Sequence, residues 1–423
     1  MKRYEKYKPT GIQWLPEIPE HWKVQRFGSL FKRKVVANDP SKELLSVFLD
    51  RGVIKASESD KRTHQASDDL SKYQLVEPTD FVMNNQQAWR GSVGVSNFIG
   101  IISPAYHLFA MPSCYNPHYA NYLLRDRVMV NLYDMSSKGV GSIQRTLNFN
   151  WLNNGKCILP SITEQNKIVA YLNKRITLIE NCKCQRERAL RTLNELKQAE
   201  IASVVTRGLN PDVPMKDSGQ IQFGKVPAHW DTIKLKYCFN QRSEKGFPNE
   251  PVLCATQSKG VIPQSLYENR VVVVNKGFDG LKLVKVGDFV ISLRSFQGGI
   301  EYAYYQGIIS SAYTILTPKD ERNSKYFKYL FKSHPFIQLL QTCVTGIREG
   351  QNINYSVLGN NFIPVPPIEE QNAIVEYIES KTSKIDTMIE ALKAEIDRLT
   401  EYKQRLISDV VTGQIDVRGE QIQ

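Results

Sequence analysis

The feature that most constrains this chain is an internal duplication that covers nearly all of its 423 residues. Residues 159–172 read LPSITEQNKIVAYL and residues 365–378 read VPPIEEQNAIVEYI, so the second copy follows the first by 206 residues. The match runs without a gap to the VVT at 204–206 and at 410–412. Such a repeat predicts two structural units of the same fold.

The duplication also extends towards the start of each copy. Residues 100–106 (GIISPAY) match residues 307–313 (GIISSAY), and the leader at 19–22 (PEHW) matches 227–230 (PAHW) with a displacement of 208. The two copies therefore differ by only about two residues in net length. Each half is long enough to bury its own core.

The globular part of each half shows a mixed pattern. Short apolar or alternating runs at 44–49, 81–83, 271–274 and 289–293 are separated by Gly, Asn and Pro and predict strands. Aromatic residues and leucines recur at helical spacing within 119–130 and 326–340, so the predicted fold class is α+β. The predicted domains are a first globular half at 1–158, a central helical repeat at 159–210, a second globular half at 211–364, and a distal helical repeat with the tail at 365–423.

Each half ends in a long predicted helix. Residues 163–207 and 369–412 contain neither Gly nor Pro, and a glycine follows each run. Ser161 precedes Glu164 by three residues, a spacing that favours a capping box. About 44 residues at 1.5 Å each give a length of roughly 65 Å.

The second long helix carries the heptad pattern of a coiled coil. Ile378, Ile385, Leu392, Leu399 and Leu406 recur at seven-residue intervals. Ile374, Met388 and Tyr402 occupy the interleaved positions of the same pattern. The first helix keeps the pattern less well, since Arg186 and Glu200 interrupt the set that holds Leu172, Ile179 and Leu193, with Ile168, Ala189 and Leu196 on the partner positions. We expect the two helices to pair antiparallel as a spacer that holds the halves at opposite ends. The alternative is that each helix packs only on its own domain.

Charge narrows the possible ligands. The chain carries 55 Lys and Arg against 43 Asp and Glu, a net charge of +12, which favours binding to a polyanion such as nucleic acid. A basic protein without such a ligand is the alternative. The seven cysteines lack the spacing of a metal or disulfide framework and are expected to be free thiols. With neither a signal peptide nor a membrane span in the sequence, a cytoplasmic location is expected.

Two polar segments in each half are candidates for contact with bases or phosphates. The first segment differs in sequence between the halves but has matching residues on either side, which favours a surface that contacts DNA bases on a shared scaffold. The second segment is a Gly-rich turn before each long helix. An ordinary solvated loop is the alternative in every case. The candidate residues are Asn84, Asn85, Gln86, Gln87, Trp89 and Arg90 with Arg294, Ser295 and Gln297, then Gln144 and Arg145 with Arg348 and Gln351.

A basic run at Lys32, Arg33 and Lys34 is a further candidate for phosphate contact, although a solvated face explains such a run equally well. His21 and His229 invite an acid–base interpretation. With no carboxylate or cysteine arranged to orient either ring, a packing role is expected for both. Motifs for nucleotide binding, DNA methyltransfer and metal ligation are absent from the sequence, so any chemistry is expected to come from partners.

The doubled Pro-x-x-x-Glu-Gln helix opener, the Pro-x-His-Trp leader and the half-length repeat together resemble the specificity (S) subunits of Type I restriction-modification systems, the HsdS family. The resemblance covers essentially the whole chain. It implies two target recognition domains that each read one part of a split site in double-stranded DNA. It also implies helices that act as a ruler and dock two methyltransferase subunits, which recruit the restriction subunits.

No cofactor is expected on this chain, because the resemblance places S-adenosylmethionine and ATP on the partner subunits. The helix openers and the outward sides of both helices are the predicted docking sites, with simple helix initiation as the alternative. The openers are Pro160, Glu164, Gln165, Pro366, Glu370 and Gln371. Two other functions stay open at this point, namely a duplicated coiled-coil adaptor that binds proteins and no DNA, and a cryptic nuclease or methyltransferase.

Overall fold

A computed structural model describes residues 2–34, 39, 41–58, 70–139, 145–267, 278–320, 324–346 and 352–420. The chain forms two compact units. Unit 1 comprises Met1–Arg186 and Glu395–Gln423, and unit 2 comprises Glu187–Ala394. Each unit therefore contains parts of both long helices.

The strands of unit 1 are short, and most pair as antiparallel hairpins or small sheets. They are β1 Tyr7–Ile12, β2 Leu15–Pro19, β3 Lys23–Arg26, β4 Lys32–Lys34, β5 Leu45–Phe48, β6 Gly52–Lys55, β7 Gln74–Val76, β8 Phe81–Asn84, β9 Val93–Val95, β10 Gly100–Ile102, β11 Tyr106–Ala110, β12 Ser137–Lys138, β13 Thr146–Leu147 and β14 Lys156–Leu159. Its shorter helices are α1 Phe27–Leu30, α2 Pro117–Arg125, α3 Arg127–Met135 and α4 Phe149–Asn154, with 3₁₀ turns at Ala56–Glu58 and Ala88–Arg90.

Unit 2 repeats this order of elements. Its strands are β15 Met215–Asp217, β16 Lys225–Pro227, β17 Asp231–Lys234, β18 Phe239–Arg242, β19 Leu253–Thr256, β20 Gly260–Pro263, β21 Lys282–Val284, β22 Phe289–Ile291, β23 Glu301–Tyr302, β24 Gly307–Ile309, β25 Thr314–Pro318, β26 Val344–Thr345, β27 Asn352–Ile353 and β28 Phe362–Val365. Its shorter helices are α6 Leu235–Cys238, α7 Ser295–Gly298, α8 Ser324–Leu330, α9 His334–Thr342 and α10 Tyr355–Leu358, with 3₁₀ turns at Gln264–Leu266 and Phe278–Gly280.

A four-stranded antiparallel sheet lies at the centre of each unit. Its strand order is β4-β11-β8-β9 in unit 1 and β18-β25-β22-β23 in unit 2. The flanking hairpins correspond as well, with β5-β6 matching β19-β20 and β12-β13 matching β26-β27. The duplication and the α+β class predicted from the sequence are thus confirmed.

The predicted strands at 44–49 and 289–293 contain β5 and β22, the predicted strand at 81–83 lies within β8, and the run at 271–274 lies outside the described residues. The helical spacing at 119–130 covers parts of two helices, because the chain breaks at Asp126. The Asp126 carboxylate accepts the Val128 N–H at 2.9 Å and so begins α3. The matching segment in unit 2 is also broken, into α8 and α9.

The two long helices are α5 Ile162–Arg207, with 46 residues, and α11 Ile368–Val411, with 44 residues. Within unit 1, Lys403 of α11 pairs with Glu180 of α5 at 2.7 Å. The repeat-equivalent pair within unit 2 is Lys197 with Asp386, at 2.5 Å. Partner numbers in α11 fall as those in α5 rise, so the helices run antiparallel within each unit.

The residues that interrupt the heptad pattern of α5 have polar partners on α11. Arg186 pairs with Glu395 at 2.9 Å, and Glu200 accepts the Tyr377 hydroxyl at 2.6 Å. The prediction for Met388 and Tyr402 was wrong, since their exposed fractions are 56% and 44%. Ile389, the residue after Met388, is buried instead. The buried face of α11 follows the 3.6-residue period of a straight helix and so departs from an ideal seven-residue repeat.

Candidate nucleic-acid interface

The turn between β8 and β9 in unit 1, residues 84–91, is held by its own first residue. The Asn84 side-chain oxygen accepts the N–H groups of Gln86 at 3.0 Å and Gln87 at 3.2 Å. The side chains of Gln86 and Arg90 are exposed, whereas Gln87 is half-buried. Asn84 is thus engaged within the turn, and Gln86 and Arg90 are the side chains that the turn presents to solvent.

The structure brings the two predicted polar segments of unit 1 together. The Asn85 side-chain oxygen accepts the Leu147 N–H at 3.2 Å, which fixes the β8–β9 turn against β13. The Trp89 ring contacts two guanidinium groups, with the Arg145 carbon 4.5 Å and the Arg90 carbon 5.7 Å from its centroid. Arg145 also pairs with Asp134. Gln144 lies outside the described residues.

The basic run on β4 divides into one internal residue and two external ones. Lys34 binds Asp80 at 2.9 Å and also pairs with Glu77, so its charge is neutralised within the unit. Its counterpart in unit 2 is Arg242, which binds the buried Asp288 at 2.9 Å. Lys34 therefore stabilises the central sheet, whereas the exposed Lys32 and Arg33 remain available for an external anion.

Two aromatic residues that the sequence analysis did not select complete this region. Asn148 caps α4 by accepting two backbone N–H groups, which places Phe149 and Trp151 on its first turn. The Arg33 guanidinium carbon lies 5.3 Å from the Phe149 centroid, and the Lys138 ammonium lies 4.6 Å from that of Trp151. Such pairs expose a cation and an aromatic face together.

We call this surface of unit 1 the cationic face. It consists of Arg33, Trp89, Arg90, Lys138, Arg145, Phe149 and Trp151. The strand-matched positions in unit 2 include Gln241 for Arg33, Thr345 for Lys138 and Val357 for Trp151, and all three are exposed. At these three positions the same scaffold presents cations and an aromatic ring in unit 1 and uncharged, non-aromatic side chains in unit 2.

A buried histidine lies beneath the cationic face. The His107 ring meets Phe149 edge to face, with the centroids 4.6 Å apart. Among the described residues neither of its ring nitrogens has a hydrogen-bond partner. Burial and then the nearby charge of Arg33 lower the pKa of His107 from 6.5 to about 4, so the ring is neutral at physiological pH.

The turn between β22 and β23 in unit 2, residues 292–299, is the counterpart of the β8–β9 turn. Arg294 and Gln297 are exposed, as candidates for contact should be. Ser295 is buried, and its hydroxyl accepts the Ser292 N–H at 2.8 Å. Ser295 therefore shapes the turn and does not face solvent. The other two candidates of this unit, Arg348 and Gln351, lie outside the described residues.

The helix openers of unit 1 are largely internal. Pro160, Glu164 and Gln165 are buried, and the Gln165 amide makes three hydrogen bonds. It donates to the carbonyls of Cys114 at 2.8 Å and Pro160 at 3.0 Å and accepts the Asn116 N–H at 2.7 Å. The Glu164 N–H donates to Ser161, so one half of the predicted capping box forms.

The other half of the capping box is replaced by contacts between the opener and the leader. The Glu164 carboxylate accepts the Tyr4 hydroxyl at 2.6 Å and lies 2.9 Å from His21 Nε2. In unit 2 the Glu370 carboxylate lies 2.7 Å from His229 Nε2 and accepts the Trp230 indole N–H at 2.9 Å. Pro366 and Gln371 are buried there too.

The expectation that no carboxylate orients His21 or His229 was therefore wrong. In each unit the carboxylate comes from the opener, more than 140 residues later in the chain, and only the fold brings the pair together. Each pair ties the leader to the start of a long helix. The end of the other long helix joins the same cluster, since Tyr119 donates to the Val411 carbonyl and Tyr326 donates to the Val205 carbonyl, both at 2.9 Å.

No helix in the described part of the chain is both long and apolar enough to cross a membrane. The described residues also contain no group of three or more His, Cys, Asp or Glu side chains that could hold a metal ion.

The fold and its surfaces define a class of protein, one built from a duplicated α+β unit with one long helix per copy. Residues 227–398 match the family model described as the Type I restriction modification DNA specificity domain. The Type I restriction enzyme MjaVIII specificity subunit of Methanocaldococcus jannaschii is 23% identical over 427 residues, covering 95% of this chain and 95% of the relative.

A second relative from the same organism, provisionally named the type I restriction enzyme MjaX specificity subunit, is 26% identical over 315 residues, or 71% of this chain and 69% of that protein. A chain from a solved structure, described for the complex assembly and conformational transition of the type I R-M system, superposes with a TM-score of 0.66. It is 16% identical, and the match covers 94% of this chain and 99% of that one. These matches confirm the resemblance of this chain to the specificity subunits of Type I restriction-modification systems.

Proposed function

We propose that this protein is the DNA sequence-specificity subunit of a Type I restriction-modification complex. Each unit reads one part of a split site in double-stranded DNA, and the paired helices set the spacing between the parts. The observation that carries the proposal is a shared scaffold with different exposed side chains at matched positions. A protein that recognises two different half-sites needs this combination.

The scaffold is the same because matched buried contacts fix it. Lys34 with Asp80 and Arg242 with Asp288 hold corresponding strands of the central sheets. The exposed side chains at the end of those strands differ in order. Gln86 precedes Arg90 in unit 1, whereas Arg294 precedes Gln297 in unit 2, and all four are exposed. Arg pairs with guanine and Gln with adenine in the major groove, so the two orders suit different base sequences.

The cationic face supplies the other component of DNA binding. Phosphate contacts position a protein on DNA and dominate its affinity, whereas base contacts specify the sequence. Arg33 and Lys138 are exposed cations outside the β8–β9 turn, which suits the first role. We assign phosphate binding to Arg33 and Lys138 of this face, and base reading to the turn.

The chemistry is assigned to partner subunits. In this proposal two methyltransferase subunits dock on the outward sides of α5 and α11, restriction subunits join through them, and S-adenosylmethionine and ATP bind to those partners. Since Glu164, Gln165 and Gln371 are buried, docking is assigned to exposed apolar side chains of the helices. Leu196 and Tyr402 are repeat-equivalent, one lies in each unit, and their exposed fractions are 52% and 44%.

The test is methylation mapping of DNA from cells that co-express this chain with its methyltransferase subunit. Cells with the methyltransferase alone are the control. A split motif that is methylated only in the presence of this chain supports the proposal. A complex that forms without any new methylated motif contradicts it and indicates a protein adaptor, and methylation or cleavage by the purified chain alone indicates a catalytic protein.

A further inference from the structure

The tips of two matched hairpins, which no sequence pattern singled out, present a basic side chain at the same repeat position. The β5–β6 tip, residues 49–51, carries Arg51, and the β19–β20 tip, residues 257–259, carries Lys259. All six residues of the two tips are exposed. The other tip residues differ between the units, and Asp50 lies 4.0 Å from Arg51 in unit 1, so the shared feature is the basic side chain itself.

In each unit the hairpin that carries the tip packs beside the turn that is proposed to read bases. In unit 1 the Ser92 hydroxyl, just after the β8–β9 turn, donates to the Val47 carbonyl of β5 at 3.0 Å. In unit 2 a Cβ added to Gly298 of the β22–β23 turn would lie 2.8 Å from the side chain of Gln257 in the tip. The tip and the turn are therefore in direct contact in unit 2, and the hairpin lies next to the turn in unit 1.

In each unit a basic side chain near the end of a helix donates hydrogen bonds to backbone carbonyls of the tip. Arg125, the last residue of α2, donates to the carbonyls of Leu49 at 3.2 Å and Asp50 at 2.7 Å. Lys332, which follows α8, is its repeat equivalent. It donates to the Gln257 carbonyl at 3.2 Å and to the Gly298 carbonyl at 2.9 Å. Lys332 thus joins the tip and the β22–β23 turn through one ammonium group.

The buried Glu301 carboxylate, 2.6 Å from Lys332, holds that ammonium in place. A tight backbone next to the tip adds to the constraint. Gly52 and Gly260 have φ angles of +72° and +75°. A Cβ at Gly260 would come within 2.7 Å of the Tyr302 carbonyl oxygen, so only glycine fits this turn.

We propose that both hairpin tips bind DNA phosphates beside the reading turns, through Arg51 and Lys259, and that Arg125 and Lys332 are positioning residues that hold the tips there. The inference rests on the proposed DNA-recognition function. It adds a phosphate contact that is common to both units, including unit 2, where uncharged residues occupy matched positions of the cationic face. A rigid tip loses less entropy when it binds than a flexible loop would.

The test measures binding of the assembled complex with its methyltransferase subunit to DNA that contains the mapped motif, at several salt concentrations. Replacing one phosphate-binding cation should reduce the slope of log K against log salt by about 0.9. Lys259→Ala should show this reduction and weaken binding to all sequences to a similar degree. Lys225→Ala, which removes an exposed charge on β16, outside the tips, the reading turns and the long helices, is the matched control and should leave the slope unchanged.

Two variants of Lys332 test its positioning role separately. Lys332→Gln should reduce the slope as Lys259→Ala does, because the tip is no longer held, and Lys332→Arg should restore it. Failure of the wild-type complex to bind its motif would overturn the proposed function. Wild-type binding with an unchanged slope in Lys259→Ala would leave that function intact and overturn the phosphate contact. A Lys332→Gln variant with the wild-type slope would overturn the positioning role.

Discussion

At the scale of single residues, the side chains that mark the sequence repeat most clearly are buried and stabilise the fold. Glu164 and Gln165 belong to the opener phrase that reveals the duplication, yet both are buried and hydrogen-bonded within unit 1. The opener that is repeated in both halves therefore marks a structural junction, where the leader, the start of one long helix and the end of the other long helix meet. A residue can mark a repeat because the fold requires it in both copies.

The openers give a matched prediction for stability. Gln165→Leu should lower the free energy of unfolding by about 2–4 kcal/mol, because it leaves the Cys114 and Pro160 carbonyls and the Asn116 N–H without their partner. Gln371→Leu should cost less, about 1–2 kcal/mol. Among the described residues, Gln371 makes one side-chain hydrogen bond, to Pro366, and its amide oxygen has no partner.

Denaturant unfolding of both variants and the wild type measures the difference. The sequence alone predicted the openers as docking sites, whereas the burial of Gln165 and Gln371 favours a role in stability. Equal losses of stability in the two variants would contradict the hydrogen-bond explanation.

His107 gives a prediction about pH. Its folded pKa of about 4 lies below the ordinary value of 6.5, so the unfolded chain takes up a proton first as the pH falls. The stabilising effect of the neutral buried ring is fully present above pH 6.5 and is lost as the pH falls towards 4. The loss is at most about 3 kcal/mol.

His107→Leu should remove this part of the pH dependence. The free energy of unfolding of both proteins is measured between pH 7 and pH 4.5, and the slope of this free energy against pH is compared between them. A variant whose stability falls as steeply with acid as that of the wild type would contradict the assignment.

At the scale of elements, the sequence predicted the scaffold better than the surface. The strand runs at 81–83 and 289–293 and both long helices were predicted, because period and breakers are local properties of the chain. The cationic face could not be predicted, since Arg33 and Phe149 meet only after the chain folds. For the same reason the basic run at β4 gave no sign that Lys34 pairs with Asp80.

The long helices give a prediction about assembly. Leu196→Glu and Tyr402→Glu each place a charge on an exposed apolar position, one in each unit, so each should remove one methyltransferase subunit from the complex. The expected stoichiometry falls from two methyltransferase subunits per chain to one in either variant, as measured by native mass spectrometry. Glu195→Gln, at an exposed polar position on α5, is the control. Two retained methyltransferase subunits in both Glu variants would contradict docking at these positions.

The ruler hypothesis is tested by shortening both helices together. The ion pairs of the long helices place residues 190–193 opposite residues 390–393, so deleting both segments keeps Lys197 with Asp386 and Lys403 with Glu180. Four residues correspond to about 6 Å of helix, or one to two base pairs at about 3.4 Å each. The methylated motif should keep both halves and lose one or two base pairs from its gap. An unchanged gap would contradict the ruler.

At the scale of the whole molecule, duplication explains how one chain can recognise a site in two parts. Matched clusters at Glu164 and Glu370 and matched sheets give two equivalent frames, so sequence changes confined to exposed turns can alter one half of a motif without altering the other. The long helices connect the frames. We therefore expect each unit to read its half of the site independently of the other.

Mapping the methylated motif for unit-specific variants tests whether the two units read independently. Gln86→Ala with Arg90→Ala changes only the β8–β9 turn, and Arg294→Ala with Gln297→Ala changes only the β22–β23 turn. We expect each double variant to relax one half of the motif, a different half in each case, and to leave the other half and the gap as in the wild type. Relaxation of both halves by either double variant, or of neither half by both, would contradict it.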